Sequence, residues 1–270
     1  MLRKTYPVAT GGLLFVFLIF FLLNSCKKES GSSNPPPPPP VDTCVIALTN
    51  GLIGYWPFTG DFNDASGNGH NASPLNGAHL GTDKKGNASM AAEFDGMDDV
   101  AIVNEFDALN IDSGTVSFWF LVTNLNSRFS FINRISYNDA FGLSWAIQKP
   151  YSDSSEIKFA VADPAQTCGT YGSADSSQTV NLSPNIQNNT WYQMSVTYSH
   201  NVENIYLNGS LIGSQTTPYA NFKKCSNSQL IFGGWWAQDI MSLGGKLDEI
   251  RIYNRTLRSC EITKLAADIP

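Results

Sequence analysis

Alternation with a period of two constrains this chain more than any other feature of its sequence. In residues 115–122, Val116, Phe118, Phe120 and Val122 fall on one side, and Ser117, Trp119 and Leu121 on the other. Residues 191–198 repeat the pattern, with Tyr192, Met194, Val196 and Tyr198 opposed to Trp191, Gln193, Ser195 and Thr197. Side chains alternate across a strand, so each segment carries one apolar face that must be covered. Further strands are predicted at 52–58, 91–95, 99–103, 129–134, 140–148, 156–162, 203–208, 211–215, 229–233 and 246–253. Gly, Asn, Asp and Ser separate them, and Asn208-Gly209 marks a two-residue hairpin. One helical pattern spans 259–267, with Ser259 as its N-cap and Ile262, Leu265 and Ala266 on one side. The predicted fold class is all-β: an antiparallel β-sandwich of the jelly-roll type with one short C-terminal helix.

The N-terminal end reads differently. Arg3 and Lys4 precede eleven unbroken apolar residues, Leu13 to Leu23, and then Asn24-Ser25-Cys26. As a helix, eleven residues rise about 16 Å, short of the roughly 30 Å hydrocarbon core. A short apolar run between a basic end and small residues is an export signal rather than a span. Its Leu-x-Ser-Cys ending resembles a bacterial lipobox, which implies a signal peptide over 1–25 and lipidation of Cys26 in the cell envelope. Lys27 after Cys26 is not the aspartate typical of inner-membrane retention, which favours the outer membrane. A surface-exposed lipoprotein is the expectation, with the leaflet that carries the anchor left open by the sequence. Residues 26–43, with six prolines at Pro35 to Pro40, form a tether. Proline fixes φ and lacks an N–H, so this run is a stiff polyproline II spacer of about 3.1 Å per residue.

Residues 44–270 then make one domain. Arg3 and Lys4 leave with the signal, so 15 basic residues face 23 acidic ones, a formal net of −8. Nucleic acids and anionic lipid headgroups recruit Lys and Arg, so that balance excludes a nucleic-acid partner and leaves the lipid anchor as the membrane contact. Four cysteines remain: Cys44, Cys168, Cys225 and Cys260. An even number in an exported chain points to two disulfides, and four cysteines allow three pairings. Domain ends often lie close together, which favours Cys44–Cys260 as a terminal clasp and Cys168–Cys225 as a loop staple.

An ordered series of phrases runs through this domain. It begins with Gly51-Leu-Ile-Gly-Tyr-Trp-Pro-Phe-Thr-Gly60, Asp61-Phe-Asn-Asp64-Ala-Ser66-Gly-Asn68-Gly69 and Glu93-Phe94-Asp95-Gly96-Met97-Asp98-Asp99. It continues with Ser117-Phe-Trp119-Phe, Trp191-Tyr192, Tyr206-Leu-Asn-Gly209 and Lys246-Leu-Asp248-Glu249-Ile-Arg251-Ile-Tyr253. The series resembles the concanavalin A-like, laminin-G-like jelly-roll modules, over nearly the whole of 45–268. That resemblance implies two curved sheets, with glycans bound on a concave face or its rim loops. It also implies a structural calcium ion (Ca2+) near the chain ends, held by Asp248 of the last strand with Asp61 and Asp64 of the first turn. Strand parity groups Asp248 with Ile250 and Ile252, facing inward, where a carboxylate is costly unless paired or bound to metal. Hydrogen bonds from backbone N–H groups to Asp248, and a plain Asx turn at Asp64-x-Ser66, would serve as well.

Catalytic templates fail. The glucanase relatives use a strand motif Glu-x-Asp-x-x-Glu, whose nearest counterpart here is Glu105-Phe-Asp107-Ala-Leu-Asn110, with an amide in place of the last acid and no strand alternation. Asp248 and Glu249 are adjacent and must point to opposite faces, so they cannot form a catalytic dyad. No histidine has zinc spacing, and no Gly-x-Ser-x-Gly elbow is present. Binding of a polysaccharide or glycoconjugate without catalysis is the reading that remains, with an adhesive protein–protein module as its alternative. Candidate sugar contacts are Trp235, Trp236, Gln238 and Asp239, in a segment after the 229–233 strand, with Tyr137 and Trp145 on the rim or concave face.

Overall fold

The computed structural model describes residues 47–104, 107–109, 111–136, 142–152, 156–165, 176–181, 186–235 and 241–267. The signal peptide, Cys26, the tether, Cys44 and Cys168 lie outside these residues. The strands are β1 (Leu52–Trp56), β2 (Ser73–Leu75), β3 (His79–Gly81), β4 (Ala91–Asp95), β5 (Val100–Val103), β6 (Gly114–Val122), β7 (Phe129–Ser136) and β8 (Gly142–Lys149). They continue as β9 (Glu156–Val161), β10 (Ser176–Asn181), β11 (Trp191–Ser199), β12 (Val202–Leu207), β13 (Ser210–Thr216), β14 (Ser228–Phe232) and β15 (Gly244–Tyr253), before one helix, α1 (Ser259–Ala266). Two antiparallel sheets result. The first runs β13-β12-β11-β6-β15-β4-β3, with β1 also on β15, and the second β10-β9-β8-β7-β14-β5-β2.

The alternation read from the sequence sets the core. Val116, Phe118, Phe120 and Val122 of β6 and Tyr192, Met194, Val196 and Tyr198 of β11 all face inward. From the opposite sheet, Phe131 meets Phe118 at 5.5 Å and Phe120 at 4.7 Å between ring centroids. Each ring removed from water stabilises the fold by roughly 1.5–3 kcal/mol. All twelve predicted strands are present. The three that sequence pattern missed, β2, β3 and β10, lie at sheet edges. A short edge strand has one neighbour and needs no continuous apolar face, so alternation does not mark it.

The two-residue hairpin is also present: Leu207 pairs with Ser210, and Asn208 and Gly209 take φ of 49° and 80°. Two positive φ values in succession match the right-handed strand twist, and Gly tolerates them without strain. Ser259 is not the helix cap. Arg258 occupies that position, and its backbone N–H donates to the Glu261 carboxylate at 3.0 Å. The same carboxylate takes two bonds from Arg255, at 2.9 and 2.7 Å, which hold it well below the usual range, at about 2. Arg255 also donates to Ala47 and Asn50 carbonyls, so one guanidinium ties the chain entering β1 to the chain leaving β15. Helix α1 then buries Ile262 and Leu265 against Tyr253, with Leu48, Leu52 and Tyr206 alongside.

Glu203 on β12 is fully buried, and neither carboxylate oxygen meets a hydrogen-bond donor. Burial raises it from 4.5 to about 8. A raised folded pKa means the native state keeps a proton that the unfolded chain releases, so stability falls as pH climbs from about 4.5 to 8. Glu203→Gln keeps the shape without the charge. Its melting temperature is expected to exceed the wild type's by several degrees at pH 9 and to match it near pH 4.5, measured by calorimetry.

Candidate functional site

The last strand departs from regular alternation where it matters most. Between the Asp248–Trp119 and Arg251–Ser117 pairs, β15 advances three residues while β6 advances two. The extra residue is Glu249, at a φ of 54°, which makes this a β-bulge. Leu247, Ile250 and Ile252 enter the core. Asp248 therefore sits on the opposite face from Ile250 and Ile252, not with them as parity predicted. The bulge also brings Asp248 and Glu249 to one side, where both line the same hollow. The expectation that adjacent acids must point apart holds only for an unbroken strand.

That hollow lies on the outer face of the first sheet and has a volume of about 520 Å³. Tyr55 of β1, Trp119 of β6 and Asp248, Glu249 and Arg251 of β15 form its floor, and the β3–β4 loop with Asp83 and Lys84 forms one wall. Glu249 accepts the Tyr55 hydroxyl at 2.9 Å and pairs with Arg251 at 2.6 Å. The Arg251 guanidinium lies 4.1 Å from the Tyr55 ring centroid, a cation–π contact that closes the triangle. Asp83 accepts the backbone N–H groups of Lys85 and Asn87, each at 2.8 Å, and the Asn87 amide at 2.9 Å. Those bonds outweigh its desolvation, lower its pKa and fix the loop that presents Lys84.

Asp248 is the buried charge of the hollow, 3 % exposed. Its Oδ2 is 3.9 Å from Lys84 Nζ, while no donor reaches Oδ1. Desolvation pushes its pKa up to about 7, with the Lys84 cation acting in the opposite direction. Lys84 Nζ also stands 4.5 Å from the Trp119 ring centroid, so one ammonium covers an aromatic face and a carboxylate together.

The three acids expected to hold calcium do not assemble. Asp64 Oδ1 accepts the backbone N–H groups of Tyr55 and Ser66, and Oδ2 accepts the Ser66 hydroxyl and the His70 N–H. Both oxygens are thus spent on the turn, the Asx-turn alternative. Asp61 is exposed and binds Asn63, and Asp248 is paired with Lys84. Among the described residues, the one set of three carboxylates close enough to share an ion is Asp95, Asp98 and Asp99 in the β4–β5 turn, which the sequence reading did not single out.

Trp145, expected at the rim, is 1 % exposed and packs in the core beside Phe159. Its position on β8 shares the inward parity of Ile147. Trp235 is half-buried on the outer face of the second sheet, against Val100, Ile102, Ile135 and Ile231. Trp236, Gln238, Asp239 and Tyr137 lie outside the described residues. Cys225 is buried and Cys260 opens α1. Asp107, the one described acid of the glucanase-like phrase, belongs to a 3-10 turn and lies 3.8 Å from Arg134. Trp119 was missed as a site residue, although a large ring between Ser117 and Leu121 on the outward parity is the signal that would have found it.

Two antiparallel sheets around an aromatic core, with this hollow on one outer face, define a jelly-roll module. A family model of the concanavalin A-like lectin/glucanase superfamily, laminin G type, matches residues 94–263, and the chain belongs to that family. No curated protein sequence matches it. Among solved structures it is similar to domain 4 of AbnA, an extracellular arabinanase from Geobacillus stearothermophilus, in complex with arabinotriose. That match has 18 % identity and a TM-score of 0.57, over 80 % of this chain and 98 % of that one. It is also similar to the botulinum neurotoxin serotype D ligand-binding domain in complex with N-acetylneuraminic acid, at 19 % identity and a TM-score of 0.59, over 82 % of this chain and 51 % of that one. The binding domain of Paraclostridial Mosquitocidal Protein 1 matches at 18 % identity and a TM-score of 0.62, over 82 % and 52 %. The chain spans about half the length of the two toxin domains.

The Asp248 carboxyl carbon is expected to titrate near pH 7 in a carbon-detected NMR experiment. Lys84→Met removes the cation that favours the ionised form, so its midpoint should move higher. An unmoved midpoint would show that the two groups are not electrostatically coupled.

Proposed function

We propose that this protein is a surface-tethered, non-catalytic carbohydrate-binding module whose site is the hollow over β1, β6 and β15. The observation that carries the reading is the convergence there of Trp119, Tyr55 and the buried Asp248 on one exposed face. Rings for apolar sugar faces and a few fixed polar groups for hydroxyls are what glycan recognition requires. Family membership supports the reading, as do fold neighbours whose structures contain arabinotriose and N-acetylneuraminic acid. A binding role fits the acids as well, because Glu249 is already engaged by Tyr55 and Arg251.

A glycan array probed with the full chain, with and without calcium, tests the reading. The expected result is saturable binding to at least one glycan class that weakens about tenfold or more in Trp119→Ala. Binding that vanishes in Trp235→Ala and survives in Trp119→Ala would move the site to the second sheet. Leu211 and Ile212, exposed on the edge strand β13, favour the second reading, an adhesive module. An array without any binder, together with concentration-dependent self-association, would establish that instead.

The same proposal places the domain on a lipid anchor at Cys26, in the outer membrane and facing outward. The Leu-x-Ser-Cys ending supports the anchor, and Lys27 after Cys26 supports the outer membrane. Wild type is expected to incorporate radiolabelled palmitate and to partition into detergent, and Cys26→Ser should do neither. Two bridges, Cys44–Cys260 and Cys168–Cys225, complete the proposal; the even number of cysteines in the exported domain supports it. Non-reducing peptide mapping should recover those two pairs.

A further inference from the structure

Lys84 occupies the hollow as a ligand would. Its ammonium stands over the Trp119 ring at 4.5 Å and beside Asp248 at 3.9 Å, with the lysine side chain 11 % exposed and the aspartate side chain 5 % exposed. The ion pair is longer than a hydrogen bond, and Asp248 Oδ1 is left with no donor at all. A buried carboxylate oxygen without a donor is an unfavourable arrangement that a better-fitting donor relieves. Asp83, Lys85, Glu249 and Arg251 also line the hollow, so without Lys84 its three carboxylates face two cations, and Glu249 keeps its pairing with Arg251. If the flexible lysine stem swings out, it leaves an aromatic face, a desolvated carboxylate and a second acid, Asp83. Such a set of groups favours a cation over a neutral hydroxyl or an anion.

We infer that Lys84 is an internal stand-in for a cationic ligand group, and that Trp119 and Asp248 form a subsite for the protonated amine of an amino sugar. This deepens the carbohydrate-binding reading and rests on it. The ligand's ammonium replaces that of Lys84 over the indole and reaches Asp248. Displacing Lys84 costs affinity, because the competent arrangement is only part of the resting population.

The test compares three oligosaccharides of equal length that differ only at C2: chitosan trimer with free amines, its N-acetylated counterpart, and cellotriose. Calorimetric titration of the full chain should give the free-amine trimer an affinity at least about tenfold above the other two. Asp248→Asn, nearly isosteric, should erase that preference, and Lys84→Ala should tighten free-amine binding severalfold by removing the competitor. Circular dichroism confirms that each variant is folded. Equal binding of all three sugars, or a free-amine preference that survives Asp248→Asn, overturns the amine subsite and leaves carbohydrate binding standing. Weaker free-amine binding in Lys84→Ala overturns the stand-in role. Failure of all three sugars here, with binding to other glycans on the array, likewise removes only this inference. Failure of every glycan removes the parent reading as well.

Discussion

One inserted residue in the last strand governs the functional face of this protein. β15 pairs with β6 along one side, and along the other with β4 in its first half and β1 in its second. It is therefore the strand through which the N-terminal and central parts of the first sheet are joined. The bulge at Glu249 lets Leu247, Ile250 and Ile252 all reach the core while two consecutive acids emerge outside. A regular strand would have to bury Asp248 among phenylalanines or expose Ile250. The positive φ at a non-glycine residue is the local cost of avoiding both.

Around that bulge the outer face is organised by charge over rings. Arg251 lies on Tyr55 and is held by Glu249, and Lys84 lies on Trp119 and neighbours Asp248. The two arrangements look alike but differ in strength. The 2.6 Å pair of Arg251 is a charge-assisted hydrogen bond, whereas the 3.9 Å pair of Lys84 is a Coulombic contact only. One is a built part of the floor; the other belongs to a loop that Asp83 and Asn87 hold in place from below. The weaker pair sits over the most deeply buried acid of the hollow.

Legibility of the sequence followed the same division. β6 and β11 were readable because each has a neighbour on both sides and one face wholly in the core, so their side chains obey parity without exception. Asp248 is an unusual carboxylate, as expected, but parity counted back from Ile250 put it on the wrong face; the three-residue step from Leu247 to Ile250 is where the bulge breaks the pattern. Asp61 and Asp64 had the right composition for a calcium turn, yet backbone N–H groups had already claimed both oxygens of Asp64. Trp145, expected on the rim or concave face, lies in the core, where strand parity with Ile147 directs it.

The sequence by itself determined the two-sheet architecture, the inward faces of β6 and β11 and the Asn208-Gly209 hairpin, since each depends on the chemistry of a residue and its nearest neighbours along the chain. Only the tertiary structure decided which outer residues share a hollow. Tyr55, Lys84, Trp119 and Asp248 come from four separate segments, and they meet because of cross-strand register and one bulge. Which distant strands pair, and where a bulge shifts their register, is decided only when the sheet assembles.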